Sequence, residues 1–221
     1  KDALTAFENS VEHNENNDDY FYHLGLNAFR EGQFDKARKA YERSLKIDDL
    51  DAEVKFELGR SLAELKEYDG AAKSFRSAIR FQQNMQKAHY HLGMAYRNLD
   101  NLDGAVSAFS EAVKLDDTDV EANYYLGLTY FELEKYEYAE KSFDSALLNE
   151  PGHYKSIYQL GMTYKNLNML EEAIKQFSDA STYNEASFDL FNNFGLTFYD
   201  LGENSGERSN YTNAVDRFTS A

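Results

Sequence analysis

The sequence predicts an all-α fold: about thirteen antiparallel helices arranged as one α-solenoid of helix-turn-helix units. Three observations carry this. Six glycines, Gly25, Gly59, Gly93, Gly127, Gly161 and Gly195, stand 34 residues apart. Other columns keep the same register. Leu24, Leu58, Leu92, Leu126, Leu160 and Phe194 precede the glycines, and Ala37, Ala71, Ala105, Ala139 and Ala173 follow the first five by twelve residues. The 221 residues hold one proline, against roughly eleven at average usage, so almost nothing interrupts a helical chain. A fixed period of this length marks a repeat array.

The units follow in order. Residues 1–17 carry Ala3, Phe7 and Ser10 in second-helix columns and read as the second helix of a leading half-repeat. Six units follow, at 18–51, 52–85, 86–119, 120–153, 154–187 and 188–221. Each first helix is built round Leu/Phe-Gly, with Ala28, Leu62, Tyr96, Tyr130, Tyr164 or Phe198 three residues later. Each of the first five second helices pairs its alanine with an aromatic four residues on: Tyr41, Phe75, Phe109, Phe143 and Phe177. Ser44, Ala78, Ala112, Ala146 and Ala180 come three further on. In the fourth unit Leu126, Gly127 and Tyr130 share one helical face, and Ala139, Phe143 and Ala146 another. Glycine inside a helix costs roughly 1 kcal/mol against alanine, so six at fixed spacing predict close backbone packing. No single pair can bury its own stripe, so stacked neighbours must do it. The sixth unit departs. Its second-helix signature is Ala214, Phe218 and Ala221, and Gly195 to Ala214 spans 19 residues where the other units span 12. Seven residues are inserted near 202–210, and their Gly, Ser and Asn content predicts a surface loop. Asn210-Tyr211-Thr212 matches a glycosylation sequon, a match that chance supplies in a chain this rich in Asn, Ser and Thr.

The unit L-G-x-x-Y followed by A-x-x-x-F-x-x-A resembles the tetratricopeptide repeat family, and the likeness covers nearly the whole chain. The pattern departs four residues before the glycine, where Phe21 is followed by Lys55, His89 and Asn123. In the inter-unit turns the family's proline survives only as Pro151. The resemblance implies a right-handed solenoid whose first helices line a concave groove that binds a peptide or helix of another protein. Neither end shows a polar capping helix, and arrays normally need one. That predicts a fragment of a longer array. Self-association through the uncapped ends is the alternative, and a third reading makes the chain the non-catalytic arm of a larger enzyme.

On the first helices, the columns three before, one after and four after the glycine lie off the buried stripe, at 100° per residue. They read Tyr22, Phe56, Tyr90, Tyr124, Tyr158 and Asn192; Leu26, Arg60, Met94, Leu128, Met162 and Leu196; and Phe29, Ala63, Arg97, Phe131, Lys165 and Tyr199. The expected peptide-binding groove is Tyr22, Phe56, Arg60, Tyr90, Met94, Arg97, Tyr124, Leu128, Phe131, Tyr158, Met162 and Lys165. Aromatic and Met side chains give contact area of adaptable shape, and Arg97 and Lys165 would fix charge register. Packing of the aromatic column on the neighbouring unit is the competing reading of the same residues. Relatives that clamp a chaperone's C-terminal carboxylate carry a Lys–Asn pair in the first two columns. Here those pairs run from Tyr22/Leu26 to Tyr158/Met162, so that activity is not expected. The asparagine ladder of a sugar-transferring relative is missing too: that column reads His23, Glu57, His91, Tyr125, Gln159 and Asn193.

Acidic residues outnumber basic ones 39 to 23, for a formal charge of −16, densest around Glu132, Glu134, Glu137, Glu140 and Asp144. Nucleic acid is not an expected partner, because a phosphate backbone needs a basic face. No apolar run is long enough to span a membrane, so no membrane insertion is expected. Lys1-Asp2-Ala3-Leu4 shows no apolar signal-peptide region. The absence of cysteine excludes disulfides, thiolate zinc sites and a cysteine nucleophile. It suits the cytosol and the bacterial periplasm alike, with a cytoplasmic location as the expectation. His89 and His91 stand two apart on one helix and point to opposite sides. No HExxH, phosphate-binding glycine loop, Gly-x-Ser-x-Gly or EF-hand pattern occurs. Asp48-Asp49 and Asp116-Asp117 fall in inter-unit turns, where Asp is expected to cap the next helix. No catalytic residue, cofactor or metal is expected. The expected partner is a protein or peptide.

Overall fold

The computed structural model describes residues 17–183 and 188–220. Among them are twelve α-helices and no strand. The leading half-repeat, which would supply the thirteenth helix, lies outside the described residues. The chain forms two compact units that divide after Leu115. Unit 1 holds α1 (Asp18–Arg30), α2 (Phe34–Ile47), α3 (Ala52–Glu64), α4 (Tyr68–Phe81), α5 (Gln86–Asn98) and α6 (Leu102–Leu115). Unit 2 holds α7 (Val120–Glu132), α8 (Tyr136–Asn149), α9 (Tyr154–Asn166), α10 (Leu170–Ser181), α11 (Phe188–Ser205) and α12 (Arg208–Ser220). Within each unit every helix packs on its sequence neighbours, and successive odd-numbered helices, the first helices of the repeats, touch.

The core follows from the periodic glycines. Each stands against the aromatic ring of its own second helix. A Cβ added at Gly59, Gly93, Gly127 or Gly161 would come within 2.6–2.7 Å of Phe75, Phe109, Phe143 or Phe177. Gly25 meets Tyr41 in the same way. These five rings are fully buried, as are Ala37, Ala71, Ala105, Ala139 and Ala173 beside them. Here the missing methyl group is worth more than the roughly 1 kcal/mol of helix propensity that glycine forfeits.

The polar departures four residues before the glycine have a common purpose. Lys55 donates its Nζ to the carbonyl of Asp49. His89 Nε2 lies 3.0 Å from the carbonyl of Gln83, and Asn123 Nδ2 lies 3.0 Å from that of Asp117. Each reaches back six residues to satisfy an acceptor of the preceding turn. A carbonyl can only accept, so His89 carries its proton on Nε2. Helix capping is shifted from the expected position. Asp51 and Asp119 cap α3 and α7 through Oδ1. Asp48 and Asp116 instead accept within the turns, from the backbone of Leu50 and Thr118.

The turn inside each regular hairpin also repeats. Gly32, Lys66, Asp100, Glu134 and Asn168, all seven residues past the glycine, have φ between 57° and 73°. In the sixth hairpin that position is Gly202, which is helical, and the positive φ passes to Gly206, at 71°. The predicted loop at 202–210 is therefore corrected. Residues 202–205 extend α11, and only Gly206 and Glu207 lie between the helices. α11 runs five residues further past its glycine than the regular first helices, α12 starts three residues earlier before its alanine, and the connection is one residue shorter. At 3.6 residues per turn, seven residues add about one turn to each helix. The two antiparallel extensions cancel, so Gly195 still meets Phe218, 2.6 Å from an added Cβ. Inside the added turn Gly202 packs on Tyr211. Asn210 is buried and donates to Ser205 Oγ at 3.2 Å, which makes it a poor sequon acceptor.

Candidate functional site

The aromatic residues three before the glycine pack on the ring of their own second helix, and Phe56, Tyr124 and Tyr158 also meet the next repeat of the same unit. In unit 1, Tyr22 packs against Tyr41, centroids 6.3 Å apart. Burial, with Glu53, Glu57 and Asp51 nearby, pushes its phenol pKa up. Phe56 is 3% exposed. It lies 5.8 Å from Phe75 and 5.4 Å from His91, beneath Lys87 at 4.5 Å. Tyr90 meets Phe109 edge-on at 5.8 Å. His91 stacks on Phe75 at 5.6 Å, and burial, with Arg60 and Lys87 close, pushes its imidazole down to about 4. It is a neutral packing residue at neutral pH.

The rest of the unit 1 face is more open. Arg60 is held to Glu57 at 3.0 Å and lies 4.4 Å over the Phe29 ring. Beside it is a cleft of about 560 Å³ lined by Leu26, Phe29, Arg30, Phe34, Glu57 and Glu64. Lys87 bridges to Glu53 at 2.5 Å, tying the second and third repeats at a separation of one period. Met94 and Arg97 are half-buried.

Unit 2 repeats the arrangement with different neighbours. Tyr124 is 8% exposed, 6.0 Å from Phe143 and 5.4 Å from His153, with Lys155 5.8 Å from its ring. Tyr158 stacks on Tyr154 at 6.4 Å and accepts a 2.9 Å hydrogen bond from Asn193. Burial raises its phenol, opposed by that hydrogen bond. Leu128, Phe131 and Met162 are half-buried, and Lys165 lies 3.5 Å from Asp200. Leu196 and Tyr199 of α11 are 38% and 46% exposed.

The predicted residues therefore separate by column. Phe56 and Tyr124 are packed away between repeats, and Tyr22, Tyr90 and Tyr158 are half-covered. The columns one and four after the glycine carry the open apolar surface. Leu196 and Tyr199 continue those columns in the sixth repeat. Among the described residues no group of three or more His, Asp or Glu is arranged to hold a metal ion, and no helix is long and apolar enough to cross a membrane.

Comparison with known proteins agrees with this architecture. Family models described as tetratricopeptide repeat match residues 1–49, 22–86 and 154–187, and one described as TPR repeat matches 95–134, together more than half of the chain. A search of the curated proteins finds no match. Among solved structures, MamA is 25% identical, covering 76% of this chain and 92% of its own, with a TM-score of 0.73. YrrB, described as a TPR protein with an unusual peptide-binding site, is 21% identical, covering 85% of this chain and 96% of its own, with a TM-score of 0.76. The C-terminal part of a TPR repeat-containing protein from Cytophaga hutchinsonii shares the fold at 14% identity. It covers 98% of this chain and 88% of its own, with a TM-score of 0.82.

Proposed function

The chain belongs to the tetratricopeptide repeat family, and from that premise we propose that it is a non-catalytic protein-interaction scaffold that holds a peptide or helix of a partner on its first-helix faces. One observation carries the reading. The aromatic column spends its rings on packing, yet on successive first helices the columns one and four after the glycine keep Leu26, Met94, Leu128, Phe131, Met162 and Leu196 at least partly open. A face of Leu, Met and aromatic side chains gives contact area that adapts to its ligand. The net charge of −16 supports a protein partner over nucleic acid.

Site-specific photo-crosslinking tests this. A photoreactive side chain is placed at Met94 or Met162 on the first-helix faces, and at Arg76 or Lys175 on second helices, both exposed. Partner adducts at 94 and 162, with none at 76 and 175, are the expected result. Adducts confined to 76 and 175 would move the binding surface to the second helices and overturn the proposal.

A further inference from the structure

The structure assigns a partner chemistry to the lengthened sixth hairpin: we propose that α11, with the neighbouring face of α9, docks a Lys/Arg-rich amphipathic segment of a partner protein. This rests on the first-helix reading above and adds to it the charge of the ligand. Three observations carry it.

The first is exposure. Among the described residues, the exposed large apolar side chains on first helices all belong to α11: Phe188, Leu196 and Tyr199. Leu196 and Tyr199 lie three residues apart on one face, and Met162 holds the position of Leu196 on α9.

The second is the added turn. In a regular hairpin the eighth residue past the glycine has left the first helix. In the sixth hairpin it is Glu203, still helical, on the same arc as Leu196 and Tyr199. Tyr211 of α12 meets Tyr199 edge-on at 5.6 Å and donates its hydroxyl to Glu203 at 2.8 Å. The insertion thus adds an aromatic wall and a carboxylate to an apolar platform.

The third is charge. Helical register places Asp189, Asp200 and Glu203 of α11 on this side, with Glu121 and Glu132 in the same columns of α7. The cations among them are Lys155 and Lys165, the latter paired with Asp200, so five carboxylates face two cations on this side. Residues 116–221 carry 19 acidic and seven basic residues, against 20 and 16 in residues 1–115. An apolar face rimmed by carboxylates favours a ligand with apolar anchors between cations, and it repels a second copy of this acidic chain.

The test is a fluorescence-anisotropy titration of the whole chain with three labelled synthetic peptides. One has Leu at helical spacing and Lys elsewhere, one is its scrambled sequence, and one keeps the Leu pattern with Glu in place of Lys. The patterned Lys peptide is expected to bind about tenfold more tightly than either of the others. The double variant Leu196→Ser with Tyr199→Ser should lose about tenfold of that affinity, with helicity unchanged by circular dichroism. Asp189→Asn with Glu203→Gln should weaken binding and flatten its salt dependence. If the Glu peptide binds as tightly and depends on Leu196 and Tyr199, the docking face stands and the charge assignment is overturned. If the scrambled Lys peptide binds as well as the patterned one, the attraction is diffuse and the site is overturned. If no peptide responds to the double variant, the first-helix reading for unit 2 falls with it.

Discussion

The five regular hairpins and the lengthened sixth share one contact and differ in what covers it. In all six a glycine of the first helix meets an aromatic ring of the second. In the regular pairs that ring is fully buried, whereas Phe218 is 39% exposed. Within unit 1, Phe75 is covered by His91 of the next repeat; within unit 2, Phe177 is covered by Phe194. A hairpin therefore makes half of its own core and borrows the rest from its successor. The sixth adds contacts the regular hairpins lack, with Gly202 on Tyr211, Tyr199 on Tyr211 and Asn210 on Ser205, all within the inserted residues or beside them. Fully buried rings stand where a neighbour completes the core, and the sixth hairpin carries five exposed large apolar side chains, Phe188, Leu196, Tyr199, Val215 and Phe218.

The largest effect should come from the glycine contact itself. Gly127→Ala drives a methyl group into a fully buried ring that has nowhere to move, and should cost about 3 kcal/mol. Gly195→Ala meets a half-open ring that can swing aside, and should cost about 1 kcal/mol. Urea-unfolding midpoints of the two variants measure the gap; equal losses would break the comparison. The next effect is acid sensitivity in a regular interface. His91 is held neutral, with its pKa depressed to about 4, while the unfolded chain takes up the proton near 6.5. Below pH 6.5 the unfolded state binds more protons, so stability falls as the pH drops and the loss levels off near pH 4. By pH 5 the cost is about 2 kcal/mol. The stability of the native chain relative to His91→Leu should fall by about 2 kcal/mol between pH 7 and pH 5, and parallel curves would exclude the effect.

Much of the fold was legible because its determinants repeat. The 34-residue glycine column, its leucines and its alanines mark positions where close packing admits one type of side chain, so each unit states the rule again. The donors Lys55, His89 and Asn123 were visible as a departure from the pattern, but their purpose depends on which turn carbonyl lies six residues back in space. The left-handed column escaped notice because Lys66, Asp100, Glu134 and Asn168 share a backbone angle and no side-chain chemistry. The 202–210 stretch misled because Gly, Ser and Asn favour turns locally, whereas an added turn in each helix keeps the Gly195–Phe218 contact. The site was legible by column only. Sequence spacing shows that Phe56 and Tyr124 leave the glycine stripe, but the next repeat decides whether they face a ligand or a neighbour.

Smaller effects sharpen the contrast further. Glu134 holds φ at 58°, so Glu134→Gly should stabilise its regular hairpin by about 1 kcal/mol. Gly206→Ala, at the displaced turn of the sixth, should lose about as much, and opposite shifts in melting temperature are the expected reading. Tyr41 is the one hydroxyl in a column otherwise filled by phenylalanine. Its oxygen is buried with no hydrogen-bond partner among the described residues, so Tyr41→Phe should gain up to about 1 kcal/mol. Leu196→Ser should change stability least, within about 0.5 kcal/mol, because the side chain is open and completes no core. A loss of 2 kcal/mol or more there would show that Leu196 is a packing residue after all, and would remove the separation between a regular array that holds the fold and an irregular hairpin left free to bind.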